Sequence, residues 1–421
     1  MKQYESYKDS GAQWIGQIPS HWEDSRLKYV GNYINGYAFK PTDWNVDGLP
    51  IIRIQDLTGT NSCPNYYDGK LSDKYLINDG DILVSWAATI ATFKWNRGSA
   101  WLNQHIFKAL PRTSIDYDYF YWLLNIATKN MKNGEEHGIM MEHVTTDLFG
   151  NFPIPLPPLA EQTAIAEYLD KKCGYIDSVI ATQERRIALL EELKQSTITE
   201  AVTRGLNPDA TFSESGVDWI GKIPSHWEVR RIKTLSRVKR GASPRPIEDP
   251  KYFDENGRYS WVRIADVTAS DKYLTKTDQT LSTLGSSLSV KRHPGDIFIS
   301  IAGTVGKPII TKIDCCIHDG FVWFPNLKFS SELLYYIFKS GRPYLGLGKM
   351  GTQLNLNTET IGNIRIPVPP ESEQQQIVDL VEAMLRPIDS AISKARREIE
   401  LLQELKQTTI TEAVTGKVKV C

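Results

Sequence analysis

Apolar residues recur at helical spacing in two stretches of this chain that are nearly copies of each other. In the first, Ile176, Ile180, Ile187, Leu190, Leu193, Ile198 and Val202 form a narrow stripe among Glu, Lys, Arg, Gln and Thr. In the second, Ile388, Ile392, Ile399, Leu402, Leu405, Ile410 and Val414 do the same. Within them, residues 191–203 (EELKQSTITEAVT) and 403–415 (QELKQTTITEAVT) agree at 11 of 13 positions. A stripe this narrow is a coiled-coil seam, so the pattern predicts two long helices that bury their seams on each other. Each is expected to begin at Tyr175 or Pro387, because proline is tolerated at the start of a helix and not inside one. A short helix over 159–172 and a break at Gly174 precede the first, and Gly205 and Pro208 end it.

Elsewhere the pattern is that of short strands broken by Gly, Asn and Asp turns. Strands are predicted at 50–57, 80–87 and 101–110, then a helix over 117–130 with Asp116 as N-cap and Tyr117, Phe120, Leu124 and Ala127 on its buried face. The second half repeats the order, with strands at 260–268, 295–302 and 317–324 and a helix at 331–339. Both halves close on a proline-rich extended strap, GNFPIPLPP (150–158) and GNIRIPVPP (362–370).

Direct repeats bind the two halves together. WIGQIPSHWE (14–23) returns as WIGKIPSHWE (219–228), with nine of ten positions the same. Trp, Ile, Gly and Pro at these spacings read as a docked structural segment, and His21 and His226 have no nucleophile or metal partner near them in sequence. Arg53 and Ile54 match Arg263 and Ile264, and Gly80, Asp81 and Ile82 match Gly295, Asp296 and Ile297. The chain is therefore a tandem duplication, about 1–205 and 206–421. Its frame was kept while its loops diverged, which suits recognition of two different things at a fixed distance.

Composition narrows this picture. The 421 residues are 41% hydrophobic and 24% charged, with no apolar run long enough for a membrane span and no apolar leader at the N-terminus. Five cysteines without CxxC or zinc spacing point to a reducing, cytoplasmic setting. The net charge of -1 gives no global nucleic-acid signature, so any DNA contact has to come from local patches or draw on charge that a partner supplies. One patch is plain: Arg230, Arg231, Lys233, Arg237, Lys239, Arg240 and Arg245, with no acid from 229 to 247, run into the loop GASPRP. Other polar loops fall at matched places. Trp86–Lys94 matches Ile301–Ile309, Asn103-Gln104-His105 matches His318-Asp319-Gly320, and Gly138–Val144 matches Gly351–Leu356.

Amide, hydroxyl and guanidinium groups are what base reading and phosphate positioning need. The candidate DNA contacts are thus Tyr37, Lys40, Arg53, Thr89, Lys94, Asn103, Gln104, His105 and His143 in the first copy. In the second they are Arg237, Lys239, Arg240, Ser243, Arg245, Arg263, Thr304, Lys307, His318, Lys349, Thr352 and Gln353. GLGKMG (346–351) follows a helix-like stretch and so lacks the strand a dinucleotide site needs in front of it. Asp249-Pro250-Lys251-Tyr252 falls one proline short of the amino-methyltransferase motif, and no Walker A, HExxH or serine elbow is present. No catalytic residue, metal ligand or cofactor is expected.

The duplicated WIGxIPSHWE, the straps followed by Glu161-Gln162 and Glu373-Gln374, and the ELKQxTITEAVT helices together resemble the specificity subunit of type I restriction-modification systems, over the whole chain. The resemblance implies an α+β architecture with a pseudo-two-fold arrangement. Two globular α/β target-recognition domains (1–155 and 206–367) are separated by two long antiparallel coiled-coil helices from conserved helical regions (156–205 and 368–421). It also implies that each domain reads half of a split, asymmetric site in double-stranded DNA. Two methyltransferase subunits would dock on the helical regions, bind S-adenosylmethionine and methylate adenine, and restriction subunits would cleave unmodified DNA. From the residues, the repeated outward positions Glu192, Lys194, Gln195, Thr199 and Glu200, with Glu404, Lys406, Gln407, Thr411 and Glu412, are the expected partner-binding faces. Three other readings remain open: the specificity subunit of a type II system, a stand-alone methyltransferase or nuclease, and a coiled-coil adaptor that binds proteins only.

Overall fold

The computed structural model describes residues 2–60, 63–87, 89–133, 145–205, 207, 209–347 and 356–420. Four longer helices organise it: α1 (Tyr117–Asn133), α2 (Leu159–Arg204), α3 (Ser331–Lys339) and α4 (Glu371–Val414). The chain divides into two compact units, Met1–Gln183 with Arg397–Cys421 (unit 1) and Glu184–Arg396 (unit 2). Each unit therefore contains one globular module and a segment of both long helices.

α2 and α4 are longer than the sequence pattern predicts. The break at Gly174 does not occur, and Pro387 lies inside α4 rather than at its start. Gly174 weakens a helix by about 1 kcal/mol and an interior proline by roughly 3 kcal/mol. Packing overrides both. Cys173 and Ile176 flank the glycine and are buried, as are Leu385 and Ile392 on either side of the proline. The seam also departs from expectation. Ile176, Ile198, Val202, Ile392, Ile410 and Val414 are buried, whereas Leu193 and Leu405 are half exposed.

In each unit the docked WIGxIPSHWE segment covers a helix end. In unit 1, Ile15, Ile18 and Trp22 share one apolar core with Ile165 and Leu169 of α2 and with Ile410, Ala413 and Val414 of α4. In unit 2, Ile220, Ile223 and Trp227 share a core with Ile198, Ala201 and Val202 of α2 and with Ile377 and Val381 of α4. The helix segments run antiparallel within each unit. Asp177 meets Lys406 at 2.7 Å and Gln183 donates to Glu398 at 2.9 Å in unit 1. In unit 2, Lys194 meets Asp389 at 2.6 Å and Glu191 meets Arg396 at 3.2 Å. The Glu191–Arg396 pair is exposed on both sides and contributes little stability, whereas the Lys194 ammonium is mostly covered; together the pairs fix the register of the two helices.

The straps are extended, as their prolines require. Pro153–Leu156 pairs antiparallel with Glu23–Arg26, and Arg365–Val368 with Glu228–Arg231. Both are two-stranded, where a residue without an N–H is tolerated. The Glu-Gln dipeptide after each strap locks the junction. Gln162 donates to Pro157 O at 2.9 Å and accepts from Asp116 N at 2.9 Å. Gln374 donates to Pro369 O at 3.2 Å and accepts from Ser330 N at 2.8 Å. One side chain thus ties the strap to the residue that caps α1 or α3: Asp116 accepts from Asp118 N and Tyr119 N, and Ser330 from Leu333 N. Phe120, Leu124 and Ala127 of α1 are buried, but Tyr117 is exposed and donates to Gly80 O at 2.5 Å.

The two globular modules share the same pair of sheets, with one strand added in unit 2. In unit 1 one antiparallel sheet has the order Gly31–Asn35, Ile106–Pro111, Ile82–Ser85, Ala91–Lys94. A second has the order Asn65–Tyr67, Leu49–Ile52, Ala100–Leu102, Leu76–Ile77, with its middle pair parallel. Unit 2 has Lys239–Arg240, Phe321–Trp323, Ile297–Ser300, Pro308–Thr311, and then the extra strand Tyr273–Leu274. Its second sheet runs Gln279–Leu281, Tyr259–Val262, Cys315–Ile317, Val290–Arg292, again with a parallel middle pair.

Several predicted strands are shorter than expected. The strand over 50–57 stops at Ile52, and the strand over 260–268 stops at Val262. The chain then folds into a helical turn, because Asp56 and Asp266 each accept the backbone N–H of the arginine three residues earlier, at 2.8 Å. The predicted strands over 101–110 and 317–324 are each two strands, in different sheets, with a tight turn between them.

Candidate DNA interface

That turn brings part of the candidate set together, and its backbone hydrogen bonds are the same in both units. In unit 1, Ile106 N donates to Asn103 O at 3.1 Å, closing a β-turn with Gln104 and His105 at its centre. In unit 2, Phe321 N donates to His318 O at 3.1 Å around Asp319 and Gly320. The segments that follow two neighbouring strands pin each turn with matching bonds. Gly36 N donates to Ile106 O and Gly241 N to Phe321 O; Tyr37 N donates to Leu102 O and Ala242 N to Ile317 O. Trp86 N donates to His105 O and Ile301 N to Gly320 O. Gly36 and Gly241 lie so close that a Cβ would fall 2.2 Å from Asn103 O and 2.1 Å from His318 O. Only glycine admits that approach.

On this common backbone the side chains differ. In unit 1, Gln104 Nε2 lies 3.2 Å from His105 Nε2, and the buried Asn103 accepts from His105 N at 3.3 Å. Tyr37 stands beside the turn, with Phe39 and Tyr75 against its ring. Arg53 follows Ile52, whose carbonyl accepts Asn103 N, and places its guanidinium 5.2 Å from the Trp44 ring centre. Its Nε is buried and makes no hydrogen bond among the described residues.

In unit 2, Asp319 is the centre of a polar cluster. Ser243 Oγ donates to its Oδ1 at 3.1 Å, Arg245 Nη2 to its Oδ2 at 2.9 Å, and Arg240 Nε to its backbone oxygen. Burial pushes the Asp319 carboxyl up, but Ser243, the backbone, Arg245 and Arg240 outweigh it and hold it below the usual carboxylate range. His318 is pushed down, first by burial, and its Nδ1 accepts Gly320 N at 2.8 Å. Arg263 pairs with Asp278 and Asp266. An open cavity of about 670 Å³ is lined by Ser243, Arg245, Trp261, Arg263, His318 and Asp319, among others.

The remaining candidates lie apart from the turns. Arg237 and Lys239 are exposed, with Lys239 6.0 Å from the Trp323 ring centre. Lys40 is exposed at the start of the turn Pro41–Asp43. Thr89 and Thr304 are matched: each backbone oxygen accepts a serine hydroxyl, from Ser85 and Ser300. The Thr304 hydroxyl lies 2.7 Å from that of Thr268. Lys94 pairs with Asp118 at 2.8 Å. Lys307 turns inward, donating to Thr268 O at 3.0 Å and Ser270 O at 2.5 Å, and burial pushes its ammonium down. His143, Lys349, Thr352 and Gln353 lie outside the described residues.

Among the expected partner-binding residues, Glu192, Glu200 and Glu404 are exposed and Thr199, Gln407, Thr411 and Glu412 partly so. Lys194 and Gln195 are not outward. The Lys194 side chain, 16% exposed, bonds Asp389, and Gln195 bonds the carbonyls of Lys339 and Ser340. Lys406 likewise reaches Asp177. Asp319 and Trp261 were not among the expected contacts, since an acid repels phosphate and a strand tryptophan reads as core. Only the fold puts them beside Arg245 and Arg263.

The family model of the type I restriction modification DNA specificity domain matches residues 19–192 and 224–401. The chain belongs to this family, with two copies of the domain in tandem. It is 24% identical to the EcoBI specificity subunit of Escherichia coli, over 95% of this chain and 87% of the relative. It is 26% identical to the MjaVIII specificity subunit of Methanocaldococcus jannaschii, over 96% and 94%. A chain from a solved structure of a type I restriction-modification system superposes with a TM-score of 0.70 at 18% identity, covering 95% of this chain and 99% of that one, which shows the shared fold. No helix among the described residues is long and apolar enough to cross a membrane.

Proposed function

We propose that this chain is the sequence-reading subunit of a type I restriction-modification complex, each recognition domain (1–155 and 206–367) taking one half of a bipartite, asymmetric DNA target. The observation that carries this reading is the pair of pinned turns. An identical backbone presents Asn-Gln-His in one domain and His-Asp-Gly in the other, which is what two readers of different half-sites require. The helical regions 156–205 and 368–421 set the spacer and receive two methyltransferase subunits, with the exposed Glu192, Glu200 and Glu404 among the contacts. Adenine methylation and cleavage belong to those partners and to the restriction subunits. This chain is non-catalytic and acts in the cytoplasm.

The candidate cations are dispersed on a chain of net charge -1, so tight binding needs the methyltransferase subunits to close around the duplex. The test is methylome sequencing of a host that carries the methyltransferase subunit with and without this chain. A single bipartite motif, methylated only when the chain is present, is the expected result. Methylation without a motif, or an unchanged motif in the absence of the chain, would refute the reading.

A further inference from the structure

The turn at 318–320 has a feature that phosphate binding does not account for. A carboxylate sits at its tip, among cations, in a domain taken to meet DNA. Asp319 spends both side-chain oxygens on neighbours in the 239–246 stretch, Oδ1 on Ser243 and Oδ2 on Arg245. The Arg245 side chain is nonetheless 77% exposed. Its Nη2 is held by the carboxylate, and Arg245 lines the open cavity together with Trp261 and His318. A guanidinium has five donors in a rigid fork, so one bond to a carboxylate leaves an edge able to donate two parallel hydrogen bonds. The partner that matches such an edge is the O6/N7 pair of guanine in the major groove. The turn itself is held by four backbone hydrogen bonds and the close approach of Gly241, so the carboxylate has little freedom to shift.

We propose, resting on the reading of this chain as a DNA-specificity subunit, that Arg245 reads a guanine of the second domain's half-site and that Asp319 is the positioning residue that aims it. In unit 1 the position equivalent to Asp319 is Gln104, on the same pinned backbone. A carboxamide pairs bidentately with adenine N6 and N7, so there the turn reads directly and the base is adenine. One structural position thus gives two half-sites different letters, through an arginine it orients in one domain and through its own side chain in the other. The exposed Arg237 and Lys239, away from the turn, supply contact without sequence preference.

The experiment uses the full chain in complex with its methyltransferase subunit and reads the methylated motif by sequencing, with competition binding on duplexes altered one base at a time. With Arg245→Ala, preference at one guanine of one half-site falls on the order of 10-fold to 100-fold, while the other half-site and the spacer stay unchanged. Asp319→Asn weakens the preference at that same base, because a carboxamide keeps the shape and loses the charge that fixes the guanidinium. Gln104→Ala relaxes an adenine in the opposite half-site. An unchanged motif in Arg245→Ala, a relaxation spread evenly over both half-sites, or an Asp319→Asn effect at a different base from Arg245→Ala would overturn the proposal. The wild-type complex separates the two levels. If it shows no bipartite motif, the specificity reading fails; if it shows one that Arg245→Ala leaves intact, this inference alone fails.

Discussion

The Trp22 indole donates to the Glu161 carboxylate at 3.0 Å, from a tryptophan that is fully buried. The same oxygen accepts Tyr4 Oη at 2.8 Å, and the other lies 2.6 Å from His21 Nε2. Unit 2 repeats the arrangement, with Glu373 bonded to Trp227 and His226 at 3.0 and 2.7 Å. The glutamate belongs to the first turn of a long helix, and the tryptophan and histidine to the segment that packs over the end of the other. The histidines of WIGxIPSHWE are therefore parts of a structural clamp.

Removing the carboxylate takes from the buried Trp22 indole the acceptor it meets at 3.0 Å. Glu161→Ala is expected to destabilise unit 1 by about 1–3 kcal/mol, the cost of an unsatisfied buried polar group. Chemical denaturation of the variant against wild type measures it, and an effect below about 0.5 kcal/mol would mean that water replaces the carboxylate fully.

The clamp also sets a pH dependence. Burial alone would raise the Glu161 carboxyl, but hydrogen bonds from His21, Tyr4 and Trp22 outweigh it and hold it below the ordinary value of 4.5. A lowered folded-state value means the contribution is complete above pH 4.5 and is lost as pH falls through the lowered value. Glu161→Gln is expected to flatten the acid limb of the stability curve. Parallel acid limbs in wild type and variant would contradict this.

Gly36 and Gly241 hold the turns at 103–106 and 318–321 by close backbone contact. Alanine at either forces a shift, since its Cβ would meet a carbonyl oxygen at little more than 2 Å. Each substitution is expected to cost about 1–3 kcal/mol by overpacking. Gly36→Ala should degrade one half of the methylated motif and Gly241→Ala the other, and loss of both halves from one variant would count against independent domains.

The lysines differ in what they have to give. Lys239→Ala should lower the salt dependence of DNA binding by about one unit of log–log slope, as expected for one phosphate contact. Lys307→Ala should leave that slope unchanged and lower thermal stability instead, because its ammonium holds the carbonyls of Thr268 and Ser270. Binding by the chain with its methyltransferase subunit across a salt series distinguishes them.

The helices offer a mechanical test. Four residues inserted between 175 and 203 add about 6 Å of helix, close to two base pairs of duplex. The methylated motif should gain spacer while both half-sites keep their bases. A changed half-site with an unchanged spacer would sink the idea of a ruler.

Repetition made much of this protein legible from its sequence. The duplication, the two seams, the extended straps and the docking of WIGxIPSHWE follow from local rules of spacing, proline and aromatic content, and those rules act within a few residues. The helix at 331–339 is legible for the same reason. What sequence could not decide depends on contacts made far along the chain. Pro387 and Gly174 stay helical because buried neighbours outweigh their intrinsic cost, and Lys194 turns inward because Asp389 is there to meet it. The runs at 101–110 and 317–324 look like single strands, since a turn between two sheets needs no proline when a distant glycine, Gly36 or Gly241, makes room for it. Asp319 was hidden for the same reason. Only tertiary structure places an acid 74 residues from Arg245 in sequence at hydrogen-bond distance from it, where its charge aims a guanidinium instead of repelling a phosphate.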